Sequence, residues 1–374
     1  VRILVTGGAG FLGSHTAEAL IACGHTVRIL DSLTPPVHPR GVTPWIPPGA
    51  QLLRGDVRKR RDWEAALDGI EAVYHFAAYQ DYLPDFSKFF HVNVVGTALL
   101  YEVAVRRRLS LRKVVVASSQ AVYGEGRYRC AHHGISYPDI RSRSRLERGE
   151  WEVPCPQCGA AMASEPTDEG RVNPQNQYAL SKYAQESLAL RLGQRYDIPT
   201  TALRYSIVQG ARQSFYNAYS GACRIFSLAV HHGRRPEVYE DGRQVRDFVN
   251  IRDAVRASLL TLDRPETDGL VFNVGGGTAY TILEFARIVI KAFEADLEPE
   301  VTGEFRFGDT RHICSDIGRL RCLGWEPSAS PEQSVAEYLT WLRTFPRVPD
   351  VLPQAARRMR RTAVLRRAAT RPTG

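Results

Sequence analysis

The chain has 374 residues, 44% of them hydrophobic, and a formal charge of +9. That length supports a sizeable core shared by two lobes, no apolar run approaches the roughly 20 residues of a membrane helix, and an odd set of seven cysteines argues against a disulfide framework. Seven arginines crowd into the final stretch QAARRMRRTAVLRRAATRPTG and the rest is close to neutral, so the charge does not point to a general nucleic-acid surface.

The N-terminus runs straight into a strand, RILVT, and a glycine-rich turn with no visible signal peptide, so a cytoplasmic protein is expected. Gly7, Gly10 and Gly13 in TGGAGFLGS follow that strand and open a helix. Such a turn lets backbone approach a pyrophosphate lying at the positive helix end. Asp31 closes the second strand, VRILD, where a carboxylate accepts the adenosine ribose hydroxyls and repels a 2′-phosphate, which favours NAD over NADP. After a proline-rich loop, QLLRG, WEAALDG, AVYHFAA, VNVVGTALLYEVAVRR and KVVVASS continue the alternation of strand and helix. That rhythm predicts an α/β fold with a doubly wound parallel sheet.

A polar, arginine-rich insert follows, carrying Cys130 and His133 as C-x2-H and Cys155 and Cys158 as C-P-Q-C, with 21 residues between the two pairs. This Cys3His set suits tetrahedral zinc, with His132 as a rival to His133. Four protein ligands leave no position for a reacting water, so the reading is a structural clip that supplies folding energy to a segment poor in apolar residues. Beyond it, Tyr178 and Lys182 in NQYALSKYAQE lie one turn apart on a predicted helix. A nearby ammonium, joined by a positively charged nicotinamide, lowers a tyrosine pKa from about 10 toward neutrality and makes Tyr178 a general base. Further strands, TALRYSIV and LVFNVGG, and two amphipathic helices, ILEFARIVIKAFEA and PEQSVAEYLTWLRTF, imply a smaller C-terminal lobe. Cys23, Cys223, Cys314 and Cys322 are scattered and read as packing residues.

The motifs TGGAGFLGS, HFAA, VVVASSQAVYG and Y-x-x-x-K together resemble the extended short-chain dehydrogenase/reductase family, whose nucleotide-sugar members include NAD-dependent epimerases and dehydratases. The resemblance implies a Rossmann domain over 1–205, with the zinc-like insert at 126–165. It also implies a substrate lobe over 206–345, with 246–275 returning to the first domain, and leaves 346–374 as a basic, disordered tail. It carries NAD contacts onto Phe11, Leu12, Asp56, Val57, Phe76, Ala77, Ala78, Asn93 and Ser118, beside the glycines and Asp31. Ser119, rather than Ser118, takes the position that stabilises charge on the reacting oxygen. Gln120 and Ala121 stand where dehydratases and decarboxylases carry ionisable groups, which points to epimerisation at a sugar carbon over elimination. A carbonyl reductase is the nearest rival, and a dinucleotide-sensing or nucleic-acid-binding relative the alternative of another class. Substrate contacts fall on Gln120, Tyr205, Arg246, Arg306 and Asp309, the arginines meeting a diphosphate. Ile207 replaces an asparagine common in the family, so one polar contact to the nucleotide sugar is lost. A homodimer is implied through the helices of VNVVGTALLYEVAV and NQYALSKYAQESLALRL.

Overall fold

The computed structural model describes residues 1–41, 45–217 and 221–369. Strands β1 (Arg2–Thr6), β2 (Thr26–Asp31), β3 (Gln51–Arg54), β4 (Ala72–His75) and β5 (Lys113–Ser119) come first, with helices α1 (Phe11–Ala22), α2 (Arg60–Ala66), α3 (Phe86–Phe89) and α4 (Gly96–Arg106) between them. The insert holds β6 (Tyr128–Cys130), β7 (Gly134–Ser136), α5 (Arg143–Glu147) and β8 (Ala163–Ser164). Then follow α6 (Gln177–Arg195), β9 (Thr200–Tyr205), β10 (Ile207–Gln209), α7 (Ala222–His231), β11 (Glu237–Val238), β12 (Val245–Asn250), α8 (Ile251–Leu260) and β13 (Val271–Val274). The chain closes with β14 (Ala279–Thr281), α9 (Ile282–Ala292), β15 (Glu300–Val301), β16 (Glu304–Arg306), α10 (Gly318–Cys322), α11 (Pro331–Leu342), α12 (Leu352–Arg361) and β17 (Leu365–Arg367).

Seven parallel strands form the main sheet in the order β13-β9-β5-β4-β1-β2-β3. Alternating side chains explain why both faces are covered. On β1, Ile3 and Val5 face Ala17, Leu20 and Ala254 of α1 and α8, while Leu4 faces the cluster of Trp63, Leu100 and Ala189 from α2, α4 and α6. The strand order reverses between β1 and β4, so their C-terminal ends open a crevice of the kind that holds ligands in doubly wound sheets. None of the described helices is long and apolar enough to cross a membrane.

The smaller lobe packs α7, α9 and α11 around Phe226, Phe285 and Tyr338, against the three-stranded sheet β10-β12-β14. The insert forms its own antiparallel sheet, β7-β6-β8, over a cluster of Tyr128, Cys130, Val153, Cys155 and Met162. Buried charge ties it to the rest: the Arg141 guanidinium, 3% exposed, donates to Glu125 and to both oxygens of Glu240, and Arg311 donates to Glu240, Asp241 and Glu152.

The expectation of a disordered tail over 346–374 does not hold for its described part. Within it, α12 buries Ala355 and Met359, β17 pairs antiparallel with β16, and Met359 and Leu365 pack on Leu83. Arg360 donates to both oxygens of Glu304 at 2.9 and 2.8 Å. The arginine-rich composition hid a thin apolar seam at positions 352, 355 and 359, spaced for one face of a helix.

Candidate active site

The cofactor crevice is built by close backbone approach. Gly7 adopts φ +66°, and a Cβ on it would sit 2.8 Å from the Ala77 nitrogen; one on Gly13 would sit 2.2 Å from the Gly7 carbonyl oxygen. At Gly10 the nearest atom would be 3.2 Å away, the Gly7 carbonyl oxygen, so the outer face of the turn is open to a ligand. Asp31, at the end of β2, accepts from the Ala9 and Leu33 nitrogens at 3.0 and 2.9 Å, with His38 3.9 Å away. These groups fit a dinucleotide: bare backbone where a diphosphate approaches and a fixed carboxylate where ribose hydroxyls lie. Gly13→Ala is expected to lower the melting temperature and the co-purified NAD together, at a cost of about 1–3 kcal/mol for overpacking, read by thermal denaturation and absorbance of the released cofactor.

Two residues expected at the cofactor have side chains tied to protein partners. Asn93 is fully buried and clamps the backbone of Tyr79 from both sides, at 2.8 and 3.1 Å, while donating to Ser181 on α6. Ser118 gives its hydroxyl to Glu186 at 2.6 Å. Asp56 is held by Arg58, and the Val57 side chain is buried among α2 and α4 residues. His75, with Thr6 and Thr97 on its ring nitrogens at 2.7 and 2.8 Å, is pushed down to about 3 by burial and stays neutral.

A cavity of about 850 Å³ opens beside the crevice, lined by Phe11, Leu12, Phe76, Ala78, Ser118, Ser119, Gln120, Tyr178, Lys182, Tyr205, Arg246, Arg306 and Asp309. Ser119 ends β5 and its Oγ accepts from the Ala121 nitrogen at 3.2 Å. Tyr178 lies in the first turn of α6, capped by Asn176, and Lys182 follows one turn later. Burial pushes the Tyr178 hydroxyl up to about 12, against a smaller downward pull from Ser119. This is opposite to the shift expected from the sequence. The cause is loss of solvent around the phenol itself; burial also pushes the Lys182 ammonium down to about 7, and it donates to Gln185. The protein's own groups therefore leave the phenol protonated.

The buried lysine has a measurable signature. Its folded pKa, about 7, lies below the ordinary value of about 10.4, so between the two the unfolded chain holds the extra proton and folding becomes more favourable as pH rises. Lys182→Met removes this dependence. The gap in urea midpoint between variant and wild type is expected to shrink from pH 7.5 to pH 9.5.

The far part of the cavity is arginine-rich. Arg246 donates to the carbonyl oxygens of Val245, Arg311 and Thr310 at 2.8, 2.9 and 2.6 Å and has no salt-bridged carboxylate among the described residues. Arg306 pairs with Asp309 at 2.7 Å and lies over the rings of Tyr82 and Tyr239, 4.3 and 5.4 Å from their centroids. The two tyrosines were not found from the sequence, because neither sits in a spaced motif. Tyr205 lines the cavity, but its hydroxyl is taken by Ser258 at 2.7 Å, so the expected polar substrate contact is a core hydrogen bond. Ile207 also lines the wall. Gln120 leaves its side-chain oxygen buried and without a hydrogen-bond partner among the described residues.

A profile described as the NAD dependent epimerase/dehydratase family matches residues 3–144 and 154–275. The chain belongs to the NAD-dependent epimerase/dehydratase family. It is 36% identical to a dTDP-L-rhamnose 4-epimerase of Burkholderia thailandensis, over 91% of this chain and 94% of that one. It is 30% identical to a putative UDP-glucose 4-epimerase of Methanocaldococcus jannaschii, over 91% and 98%. Among solved structures, it resembles the UDP-glucose 4-epimerase of Thermotoga maritima with UDP-glucose, with TM-score 0.75 and 26% identity over 92% of this chain and 99% of the other. The Thermus thermophilus UDP-glucose 4-epimerase in complex with NAD gives TM-score 0.73 and 28% identity over the same shares.

In this NAD-dependent epimerase/dehydratase, the insert gathers Cys130, His133, Cys155 and Cys158 so that their ligand atoms lie within 4.8 Å of one another. His133 Nδ1 is 3.6 Å from the Cys130 sulfur and 3.5 Å from that of Cys155, and the sulfurs of Cys130 and Cys158 are 3.7 Å apart. His133 belongs to the group and His132 does not. Around a tetrahedral zinc with bonds of about 2.3 Å, sulfurs fall about 3.8 Å apart. The backbone N–H of His132, with the His133 ring, pulls the Cys130 thiol down to about 6.

Proposed function

We propose that this chain is an NAD-dependent nucleotide-sugar 4-epimerase. The observation that carries the reading is the convergence of Tyr178, Ser119 and Lys182 on one cavity with the phosphate-suited Arg246 and Arg306, beside a crevice fit for a dinucleotide. The named relatives act on dTDP- and UDP-sugars, and Gln120 and Ala121 give no ionisable partner for elimination next to Ser119.

Bound NAD would accept a hydride from the sugar C4 and return it. Tyr178, as phenolate, takes the proton of the sugar 4-hydroxyl as the C4 hydride leaves, giving a 4-keto sugar, and returns that proton when hydride comes back to the opposite face. The Ser119 hydroxyl donates to the C4 oxygen in both directions. Positive charge at the filled site, from the nicotinamide and from Lys182 when protonated, would lower the phenol. Arg246, fixed by three carbonyls, anchors the diphosphate while the hexose turns, so that either face of C4 can be presented.

Three further readings go with it. The Cys130, His133, Cys155 and Cys158 group holds a structural zinc, supported by its spacing and by the donor set. NAD is preferred over NADP, supported by Asp31 at the end of β2. The chain is a homodimer, supported by an apolar face on neighbouring helical segments where Phe90, Val95, Leu180 and Tyr183 are 39, 42, 46 and 36% exposed. The cytoplasm suits seven cysteines present as thiols.

The test is to mix purified protein, with and without added NAD, with a panel of UDP-, dTDP-, GDP- and CDP-sugars and follow the ring C4 proton by NMR. Reversible appearance of a C4 epimer from one of them is the expected result. No epimer from any sugar, with the protein folded and loaded with NAD, would sink the reading.

A further inference from the structure

We infer that the C-terminal helix α12 is a wall of the substrate cavity and that Arg357 on it contacts the nucleoside diphosphate of the substrate. The inference rests on the nucleotide-sugar reading above and adds a binding element. The observation is where the arginines point. Leu352, Pro353, Ala356, Arg357 and Arg360 of α12 line the same cavity as Tyr178 and Ser119. The helix is not loosely placed there: Ala355 and Met359 are buried, Arg360 is locked on Glu304, and β17 beyond it is paired into a sheet with β16.

Charge says what that wall is for. Among the described residues the cavity is lined by six arginines and Lys182 against four carboxylates, an excess of cations that suits a dianionic diphosphate. Five of the six arginines are committed. Arg234 grips Asp350, Arg360 grips Glu304, Arg306 pairs with Asp309, and Arg235 and Arg246 donate to backbone carbonyls, so each already has partners that fix its place. Arg357 alone has no hydrogen bond or ion pair with any described residue. A guanidinium free on the wall of a positive cavity is positioned to form the forked contact that phosphate oxygens accept. Because α12 joins the cavity to the sheet through β17, this contact belongs to a part of the chain that composition alone marks as dispensable.

The test titrates the full, NAD-loaded chain with UDP, dTDP and ADP by calorimetry. Arg357→Glu is expected to weaken the preferred pyrimidine nucleoside diphosphate about 10- to 100-fold, in line with loss of a charged hydrogen bond and its reversal. Arg361→Glu, on the same helix but outside the cavity lining, changes the net charge equally and is expected to stay within about two-fold of wild type, a separation possible because distant surface charges are screened. Arg357→Ala should raise KM for the sugar nucleotide by a larger factor than it lowers kcat. Unaltered nucleotide affinity in Arg357→Glu, or equal weakening in Arg361→Glu, would overturn the inference and leave the epimerase reading in place. A wild-type protein that binds none of the three nucleotides would overturn both.

Discussion

Tyr178→Phe is expected to lower kcat by about 10²- to 10⁴-fold, the usual worth of a positioned acid–base group, while leaving the bound NAD content unchanged. The substitution removes one hydroxyl from a partly exposed phenol on the first turn of α6, where it lines the cavity, and leaves the ring in place. Because burial alone holds this hydroxyl near 12, the fraction ionised at neutral pH depends on positive charge added when the site fills. The kcat profile of the wild type should therefore rise with pH through a value well below 12, and that limb should vanish in Tyr178→Phe. A variant within ten-fold of wild type would remove Tyr178 from the proton transfer. Wild-type activity rising only above pH 10 would show that the filled site does not lower the phenol.

Cys155→Ser is expected to have the largest effect on the fold. Protein expressed with zinc should carry about one metal ion per chain, and the variant close to none, measured by elemental analysis. Zinc sites of this kind supply about 10–16 kcal/mol of apparent binding free energy in isolated peptides, much of it spent on folding the segment that holds them. Here that segment is a small sheet over five clustered buried residues, two of them proposed ligands. Loss of metal should loosen residues 128–164, seen as a lower melting temperature and faster amide exchange there. Activity should fall with it, because Glu152, three residues before Cys155, accepts from both Arg311 and His312 beside the substrate cavity. Metal-free wild-type protein with unchanged melting temperature would sink the clip.

What the sequence disclosed and what it hid divide along a physical line. The glycine turn, the Tyr178 and Lys182 pair and the two cysteine pairs were legible because each is a local spacing that one turn, one helix or one knuckle imposes. The main sheet was legible for the same reason, its β-branched runs alternating with helical ones. Roles that depend on a distant partner were not. Tyr205 looked like a substrate contact until Ser258, 53 residues away, took its hydroxyl, and Ser118 was claimed by Glu186. The α12 wall escaped because its apolar seam is three residues wide within a run of arginines. The direction of the Tyr178 shift was missed because spacing shows that a lysine is near and says nothing of how far the phenol itself is desolvated.

The buried charges of the insert also set an order of assembly on the growing chain. Arg141 meets Glu240, 99 residues later, and Glu125 accepts from the Arg311 nitrogen, 186 residues later. During synthesis the insert leaves the ribosome long before those partners exist, so its carboxylates and guanidinium must stay hydrated and its sheet remains undocked. The N-terminal five strands can collapse early, being close in sequence, whereas closure of the insert waits for nearly the whole polypeptide. Truncated products should accordingly be trapped with an open insert, visible as protease cleavage within residues 126–165 that the complete protein resists.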